Sequence, residues 1–171
     1  MKTKFAAVLA LACLTGACVY TVPLYGPDGD EREMTPLAAD RAQPKLALVE
    51  HLLTNYFGSD IASPPTVCAA ISDGRSQSAL PPDQEIQLIE RFPQLAPLSR
   101  CVWNGSAWRD SETEAPALVF TVHSFSCASE TKCSGWAGYT AGDTSSPSAL
   151  YRMEFAAGRW SFERDRRLIA E

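Results

Sequence analysis

The sequence has few histidines and few basic residues. It contains 2 histidines in 171 residues, which excludes a His-rich metal site. Its 15 Lys and Arg stand against 20 Asp and Glu, giving a net charge of −5. Nucleic-acid-binding proteins usually present a basic face, so this balance gives no support for such a function. Hydrophobic residues make up 46% of the chain and charged residues 20%, which is the composition of a globular protein with one domain.

The sequence also lacks the motifs of common catalytic sites. It contains no glycine-rich phosphate loop, no nucleophile elbow and no His-Glu-x-x-His. We expect His51 to lie on the solvated surface. We expect His123 to lie at the edge of the core with its ring hydrogen-bonded. Carboxylates are plentiful, but no sequence spacing indicates that two of them form a catalytic pair. Residues that are distant in the sequence could still form such a pair. We therefore predict no catalytic residue and no cofactor.

A third absence is an apolar run long enough to cross a membrane as a helix. The run at the N-terminus, 5–14, has ten residues, whereas a spanning helix needs about 20. Two lysines precede this run and the small residues Thr15-Gly16-Ala17 follow it. A basic start, a short apolar segment and small residues are the three parts of a secretory signal peptide. The sequence thus predicts export, with residues 1–17 as the signal peptide.

The end of this segment, Leu14-Thr15-Gly16-Ala17-Cys18, resembles the lipobox of bacterial lipoprotein precursors. The resemblance implies that Cys18 receives acyl chains such as palmitate and becomes the first residue of the mature protein. Val19 follows, and in this family the absence of Asp at that place implies the outer membrane, with the protein facing the periplasm. The usual leucine three places before the cysteine is replaced by Thr15. Cleavage at Cys13, or by ordinary signal peptidase after Ala17, stays open.

Four of the 6 cysteines remain after Cys13 and Cys18 are set aside: Cys68, Cys101, Cys127 and Cys133. An even number in an exported chain indicates two disulfides, and three pairings are possible. We favour Cys127–Cys133, because these residues bracket a short polar loop, and Cys68–Cys101 as its complement. The cysteines lack the Cys-x₂₋₄-Cys pairs of zinc sites, so we predict no metal.

The remaining sequence predicts a lipid anchor and flexible tether over 18–43 and a single α+β domain over 44–171. Apolar residues at helical spacing follow Pro44 and end at Gly58, which predicts a first helix. A second, shorter helix opens at 81–85, has Ile86, Ile89 and Phe92 facing inward, and stops at Pro93. Alternation and turn residues predict strands at 66–72, 98–103, 106–109, 117–126, 133–141, 149–155 and 159–165, with a type I′ hairpin at Asn104-Gly105. Together these elements predict two N-terminal helices packed on a curved antiparallel β-meander.

The order of these elements resembles the cystatin-like or NTF2-like group. The segment 151–160 (YRMEFAAGRW) is similar to the endings of many uncharacterised exported bacterial proteins. The resemblance implies a helix packed in a curved sheet. Fold analogy does not by itself imply a function.

Aromatic residues on the predicted strands form the candidate binding surface. Packing within the sheet can explain them, as can exposure to a partner protein or a glycan. The candidate residues are Trp103, Trp108, Trp136 and Tyr139.

From these features we expect an acyl-anchored envelope lipoprotein that acts in the periplasm as a non-catalytic binding or structural module. The membrane would be reached through the lipid, and the partner would be a protein or an envelope component, not a nucleic acid. One alternative is a small envelope enzyme with a pocket in the sheet, using His123 or a buried carboxylate as acid–base group. Another is an inhibitor or immunity lipoprotein directed against a hydrolase.

Overall fold

The computed structural model describes residues 34–73, 76–141, 144–145 and 148–165. The predicted signal peptide and Cys18 lie outside these residues. Within them the fold has two α-helices, α1 (Pro44–Phe57) and α2 (Pro82–Arg91). The strands are β1 (Thr66–Ser72), β2 (Gln77–Ser78), β3 (Cys101–Trp103), β4 (Trp108–Asp110), β5 (Ala117–Ser129), β6 (Lys132–Ala141), β7 (Thr144–Ser145), β8 (Ala149–Ala156) and β9 (Arg159–Asp165).

The main sheet is mixed rather than a purely antiparallel meander. Its strand order is β2-β1-β5-β6-β8-β9, with β7 paired to β6. The pairs along β5, β6, β8 and β9 are antiparallel, as predicted, but β1 is parallel to β5 over its whole length. Between these two strands the chain forms α2 and the β3–β4 hairpin, and a connection of this length can return the chain in the parallel direction. The α+β class is therefore confirmed. In the sequence, β1 and β2 come between α1 and α2.

Helix α1 provides the main cover of one sheet face, which we call the helix face. Pro44 stands in its first turn and Gly58 caps its end, as the sequence predicts. The helix buries six apolar side chains: Leu46, Ala47, Leu48, Val49, Leu52 and Leu53. These join a core cluster with Leu118, Phe120 and Val122 of β5. Burial of each of the Leu and Val side chains contributes about 1.5–3 kcal/mol, so this contact stabilises the packing of α1 on the sheet.

Two polar residues of α1 are more buried than their sequence pattern suggested. His51, expected on a solvated surface, stacks on Phe162 of β9 with ring centroids 4.3 Å apart. The Glu50 side chain is 12% exposed and its Oε1 lies 3.2 Å from Arg91 Nη1 of α2. Each charge of this buried pair requires the other, because a buried charge without a partner destabilises the fold. The pair therefore joins the two helices.

Helix α2 presents a different apolar residue to the core from the ones predicted. Leu88 is fully buried, whereas Ile86 is 57% exposed, so the inward orientation expected for Ile86 is wrong. Ile89 and Phe92 are half-buried against the core, as expected. The helix is only ten residues long, and a small rotation about its axis is enough to exchange one apolar position for another.

Residues 34–43, which the sequence placed in the tether, pack against the domain instead. They include a 3₁₀ turn, Leu37–Ala39, and Leu37 is 2% exposed. The backbone carbonyl of Asp40 accepts a hydrogen bond from Trp160 Nε1 at 3.0 Å. The compact unit accordingly spans Met34–Glu171 rather than 44–171. Its N-terminal boundary was missed because Pro36 and small residues obscure any periodicity there.

The turns also differ from their sequence signals. Asn104-Gly105 was expected to form a type I′ turn, but the β3–β4 loop has four residues and Asn104 Oδ1 accepts from the backbone N–H of Ser106 and Ala107. This side-chain bonding is an Asx turn, which competes with the two-residue turn. The two-residue turn with positive φ at both positions occurs instead at Ala157-Gly158, with φ of 51° and 78°. Residues 98–100 form a 3₁₀ turn where a strand was expected.

The structure joins Cys68 to Cys101 and Cys127 to Cys133, the pairing favoured by the sequence. Cys68 and Cys101 are both buried and link β1 to the start of β3. Cys127 and Cys133 face each other across the β5–β6 pair. The expectation of disulfide bonds is therefore confirmed.

Candidate functional site

Among the described residues, only part of the sheet face opposite α1 is covered. At the β1 side, the β3–β4 hairpin packs on it and forms a small second core with Cys68, Val119 and Cys101. Further along, on β6, β8 and β9, the side chains of this face are exposed or half-exposed, except for the buried Asp165. We call this uncovered part the open face; it includes Trp136, Leu150, Arg152, Glu154, Ser161 and Glu163.

A groove of about 640 Å³ lies on the open face, which is larger than the other described concavities. Its size falls within the roughly 300–1,000 Å³ of ligand-binding clefts. Three serine hydroxyls line it, together with side chains of both charges. The polar lining includes Ser126, Ser134, Ser161, Lys132, Arg152 and Glu163.

Three of the four charged side chains that line the groove, Lys132, Arg152 and Glu154, form ion pairs. Arg152 Nη1 lies 3.0 Å from Asp165 Oδ2, which is almost fully buried, and Lys132 Nζ lies 3.8 Å from Glu154 Oε1. Glu163 has neither a salt bridge nor a hydrogen bond from its side chain within the described part of the chain. The groove thus offers hydroxyls and charges of both signs to a ligand.

An aromatic pair borders the groove. Trp136 of β6 and His123 of β5 stand opposite each other in register, and their rings are nearly parallel, 12° apart with centroids separated by 6.4 Å. Trp136 also lies opposite Leu150, which lines the groove. The pair therefore extends the polar groove with an aromatic surface.

His123 does not have the partners of an acid–base group in the described structure. Its Nδ1 lies 3.4 Å from the hydroxyl of the adjacent Ser124, and no other hydrogen bond to the ring occurs among the described residues. General acid–base catalysis by histidine usually relies on a carboxylate or carbonyl that orients the ring. The alternative of an enzyme based on His123 therefore gains no geometric support.

The structure separates the four aromatic residues predicted as one surface. Trp103 and Trp108 contact each other edge to face on the β3–β4 hairpin, and Trp103 is 44% exposed. Tyr139 lies on the helix face beside Tyr56, and Trp136 alone belongs to the open face. The four residues therefore do not share one face, since strands place successive residues on opposite faces and the hairpin stands apart from the main sheet.

The polar residues of the groove were not among the predicted site residues. Alternation along β8 and β9 is visible in the sequence, and it indicates that Arg152, Glu154 and Glu163 face solvent. The alternation of residues in the sequence does not indicate that this solvent-facing side is concave. The irregular register of the β5–β6 pair after His123, where Ser124 has a φ of 49°, supplies a bend that no sequence motif announces.

Their surroundings shift the pKa values of His51 and Asp110. Burial lowers the pKa of His51, whose Nε2 lies 3.1 Å from the Asn55 amide nitrogen. Hydrogen bonds from Arg100, Thr66 and the backbone of Glu112 hold the pKa of Asp110 well below its usual range. His51 is thus neutral and Asp110 ionised at neutral pH, and neither lines the groove.

The described residues contain no cluster of three or more His, Cys, Asp or Glu side chains suited to a metal ion. In the same part of the chain, neither helix is long and apolar enough to cross a membrane. No family model matches the chain, and no curated protein and no solved structure is significantly similar to it.

Proposed function

We propose that the protein is exported, is anchored by lipid on Cys18 and serves as a non-catalytic binding module of the cell envelope, with the groove on the open face as its binding site. The groove is the observation that supports binding. The lipobox-like segment and the two disulfides support the compartment, because disulfides persist in oxidising spaces outside the cytoplasm. The alternative of an inhibitor against a hydrolase stays a prediction.

The chemistry of the groove favours a polar envelope polymer as ligand. Serine hydroxyls and charged side chains exchange hydrogen bonds with the hydroxyl and amide groups of a glycan. The indole of Trp136 offers an apolar face on which the C–H side of a sugar ring can pack. Charges of both signs, from Arg152 and Glu163, match a glycan that carries charged peptide branches. Peptidoglycan has this composition.

The position of the anchor is compatible with such a ligand. The compact unit begins at Met34, so residues 19–33 separate it from Cys18. A fully extended chain of that length spans at most about 50 Å. The domain could therefore contact a polymer that lies away from the membrane surface while its lipid stays in the bilayer.

Cosedimentation with purified peptidoglycan tests the proposal. The exported protein, purified in detergent with its disulfides intact, should sediment with insoluble peptidoglycan in a saturable manner. Glu163→Lys reverses a charge in the groove and should weaken binding about tenfold, since hydrogen bonds to charged groups contribute about 1.5–3 kcal/mol. Ser126→Trp fills one end of the groove and should also weaken binding.

A matched control separates groove effects from general charge effects. Glu90→Lys makes the same charge reversal at an exposed position of α2 on the other side of the sheet. It should bind as the unchanged protein does, and all three variants should keep the unchanged thermal midpoint. The groove proposal is wrong if the protein does not sediment with peptidoglycan, or if Glu163→Lys and Glu90→Lys bind equally well.

A further inference from the structure

A second concavity lies on the helix face, at the C-terminal half of α1. It has a volume of about 240 Å³ and is bounded by the helix and four strands of the main sheet. This volume is below the roughly 300–1,000 Å³ typical of pockets for drug-sized ligands, so it suits a smaller molecule. We call it the tyrosine pocket; its lining is Leu52, Asn55, Tyr56, Phe120, Ala137, Gly138, Tyr139, Tyr151 and Arg164.

Three aromatic rings form the wall of the tyrosine pocket. Tyr56 of α1 contacts Phe120 of β5 edge to face, with centroids 5.3 Å apart, and Tyr139 of β6 contacts Phe120 at 5.5 Å. Tyr56 and Tyr139 are themselves 6.5 Å apart. Such an arrangement gives a rigid apolar wall, because each ring is held by two others. A planar or short apolar group can pack against it.

The polar groups of the tyrosine pocket are mainly hydrogen-bond donors. Within the described residues, the hydroxyls of Tyr56, Tyr139 and Tyr151 have no hydrogen-bond partner. Burial raises the pKa of Tyr56 and of Tyr151, so both phenols stay protonated at neutral pH and can donate. The side-chain amide of Asn55 carries two N–H groups. Its nitrogen bonds to His51, and the second N–H is a further donor for the pocket.

The charge of the tyrosine pocket is positive although the chain is acidic. Arg164 lines the pocket, and among the described residues no carboxylate lines it or pairs with this guanidinium. Acidic residues outnumber basic ones by 20 to 15 in the whole sequence, which makes a pocket without any carboxylate informative. One guanidinium and several neutral donors match a single negative charge on a ligand.

We propose that the tyrosine pocket binds a small monocarboxylate with an aromatic or short apolar body. The carboxylate accepts hydrogen bonds from Arg164 and the tyrosine hydroxyls, and the body packs on the Tyr56, Phe120 and Tyr139 rings. This site lies on the opposite sheet face from the groove, and it does not depend on the groove's role. Phosphate esters offer the same acceptor chemistry but bring about two negative charges to one guanidinium.

Titration with benzoate, followed by NMR of the tyrosine ring and Gly138 amide signals, tests this inference. Benzoate should shift these signals in a saturable manner, while benzyl alcohol, which has the same ring without the charge, should bind at least tenfold more weakly. Phenyl phosphate should also bind more weakly than benzoate. Tighter binding of phenyl phosphate would overturn the assignment to a monocarboxylate.

Three variants locate the effect. Arg164→Gln should weaken benzoate binding at least tenfold, whereas Arg159→Gln, on the same strand but outside the pocket, should leave it unchanged. Tyr139→Phe keeps the ring and removes the hydroxyl, so it should weaken benzoate but not benzyl alcohol. The inference is overturned if benzoate causes no saturable shift, or if Arg164→Gln and Arg159→Gln bind it alike.

Discussion

The buried carboxylate of Asp110 accepts hydrogen bonds from Arg100 and from Thr66: Arg100 Nε lies 3.3 Å from Oδ1, and Thr66 Oγ1 lies 2.6 Å from Oδ2. Asp110 ends β4, Arg100 immediately precedes β3 and Thr66 begins β1. One carboxylate therefore ties the β3–β4 hairpin to the main sheet, next to the Cys68–Cys101 disulfide.

This carboxylate should make the stability of the fold depend on acid pH. The hydrogen bonds lower the pKa of Asp110 below its ordinary value of 3.8, so the folded protein holds the ionised form more strongly than the unfolded chain does. The contribution is complete above about pH 4 and decreases as the pH falls below that value. Asp110→Asn should lower the urea midpoint at pH 7 and remove this part of the acid dependence, as measured by urea unfolding at pH 7 and pH 3.

Glu112 provides the control for this prediction. It also lies near Arg100, with Oε2 3.3 Å from Nε, but its side chain is 64% exposed. Exposed ion pairs contribute little, so Glu112→Gln should unfold close to the unchanged midpoint at both pH values. Equal destabilisation by the two substitutions would contradict the role assigned to Asp110.

The two disulfides should differ in their contribution to stability. Cys68–Cys101 closes a separation of 33 residues and Cys127–Cys133 one of 6. Loop-closure entropy then predicts losses of about 4 and about 2 kcal/mol when each pair is replaced by alanine. Urea unfolding of the two double-alanine variants measures the difference. A larger loss at Cys127–Cys133 would show that contacts other than loop closure dominate.

Truncation of Trp160 should destabilise the fold much more than truncation of Trp103. Trp160 is 2% exposed, and its Nε1 donates to the carbonyl of Asp40 at 3.0 Å, so Trp160→Ala should cost about 3–5 kcal/mol. Trp103 is 44% exposed and would lose mainly its edge contact with Trp108, so Trp103→Ala should cost about 1 kcal/mol or less. Thermal unfolding of both variants checks this. Similar losses would contradict the placement of either ring.

The sequence predicted most of the helices and strands but not which strands pair. Apolar spacing with Pro44 and Gly58 predicted α1, and the strand predicted at 117–126 is observed as part of β5. The parallel pairing of β1 with β5 could not be predicted, because alternation shows which side of a strand is buried but not which strand lies beside it.

The candidate sites were missed for a related physical reason. The tyrosine pocket combines Tyr56 of a helix with Tyr139 and Arg164 of two strands, and these residues are far apart in the sequence. The residue pattern of a single helix or strand does not indicate that these residues lie close together. Trp136 was the one predicted aromatic residue that the structure places beside the groove, and its neighbours Arg152 and Glu163 come from strands that follow later in the chain.

The predicted lipid anchor can be tested by comparing the two cysteines near the N-terminus. Metabolic labelling with a palmitate analogue should mark the exported protein, and Cys18→Ser should abolish the label and release the protein from the membrane fraction. The reason is that several acyl chains on one cysteine give stable anchoring, at about 0.8 kcal/mol for each buried CH₂. Cys13→Ser is the matched control and should leave labelling and fractionation unchanged. Label retained in Cys18→Ser but lost in Cys13→Ser would move the anchor to Cys13, and label absent from the unchanged protein would contradict the lipid anchor.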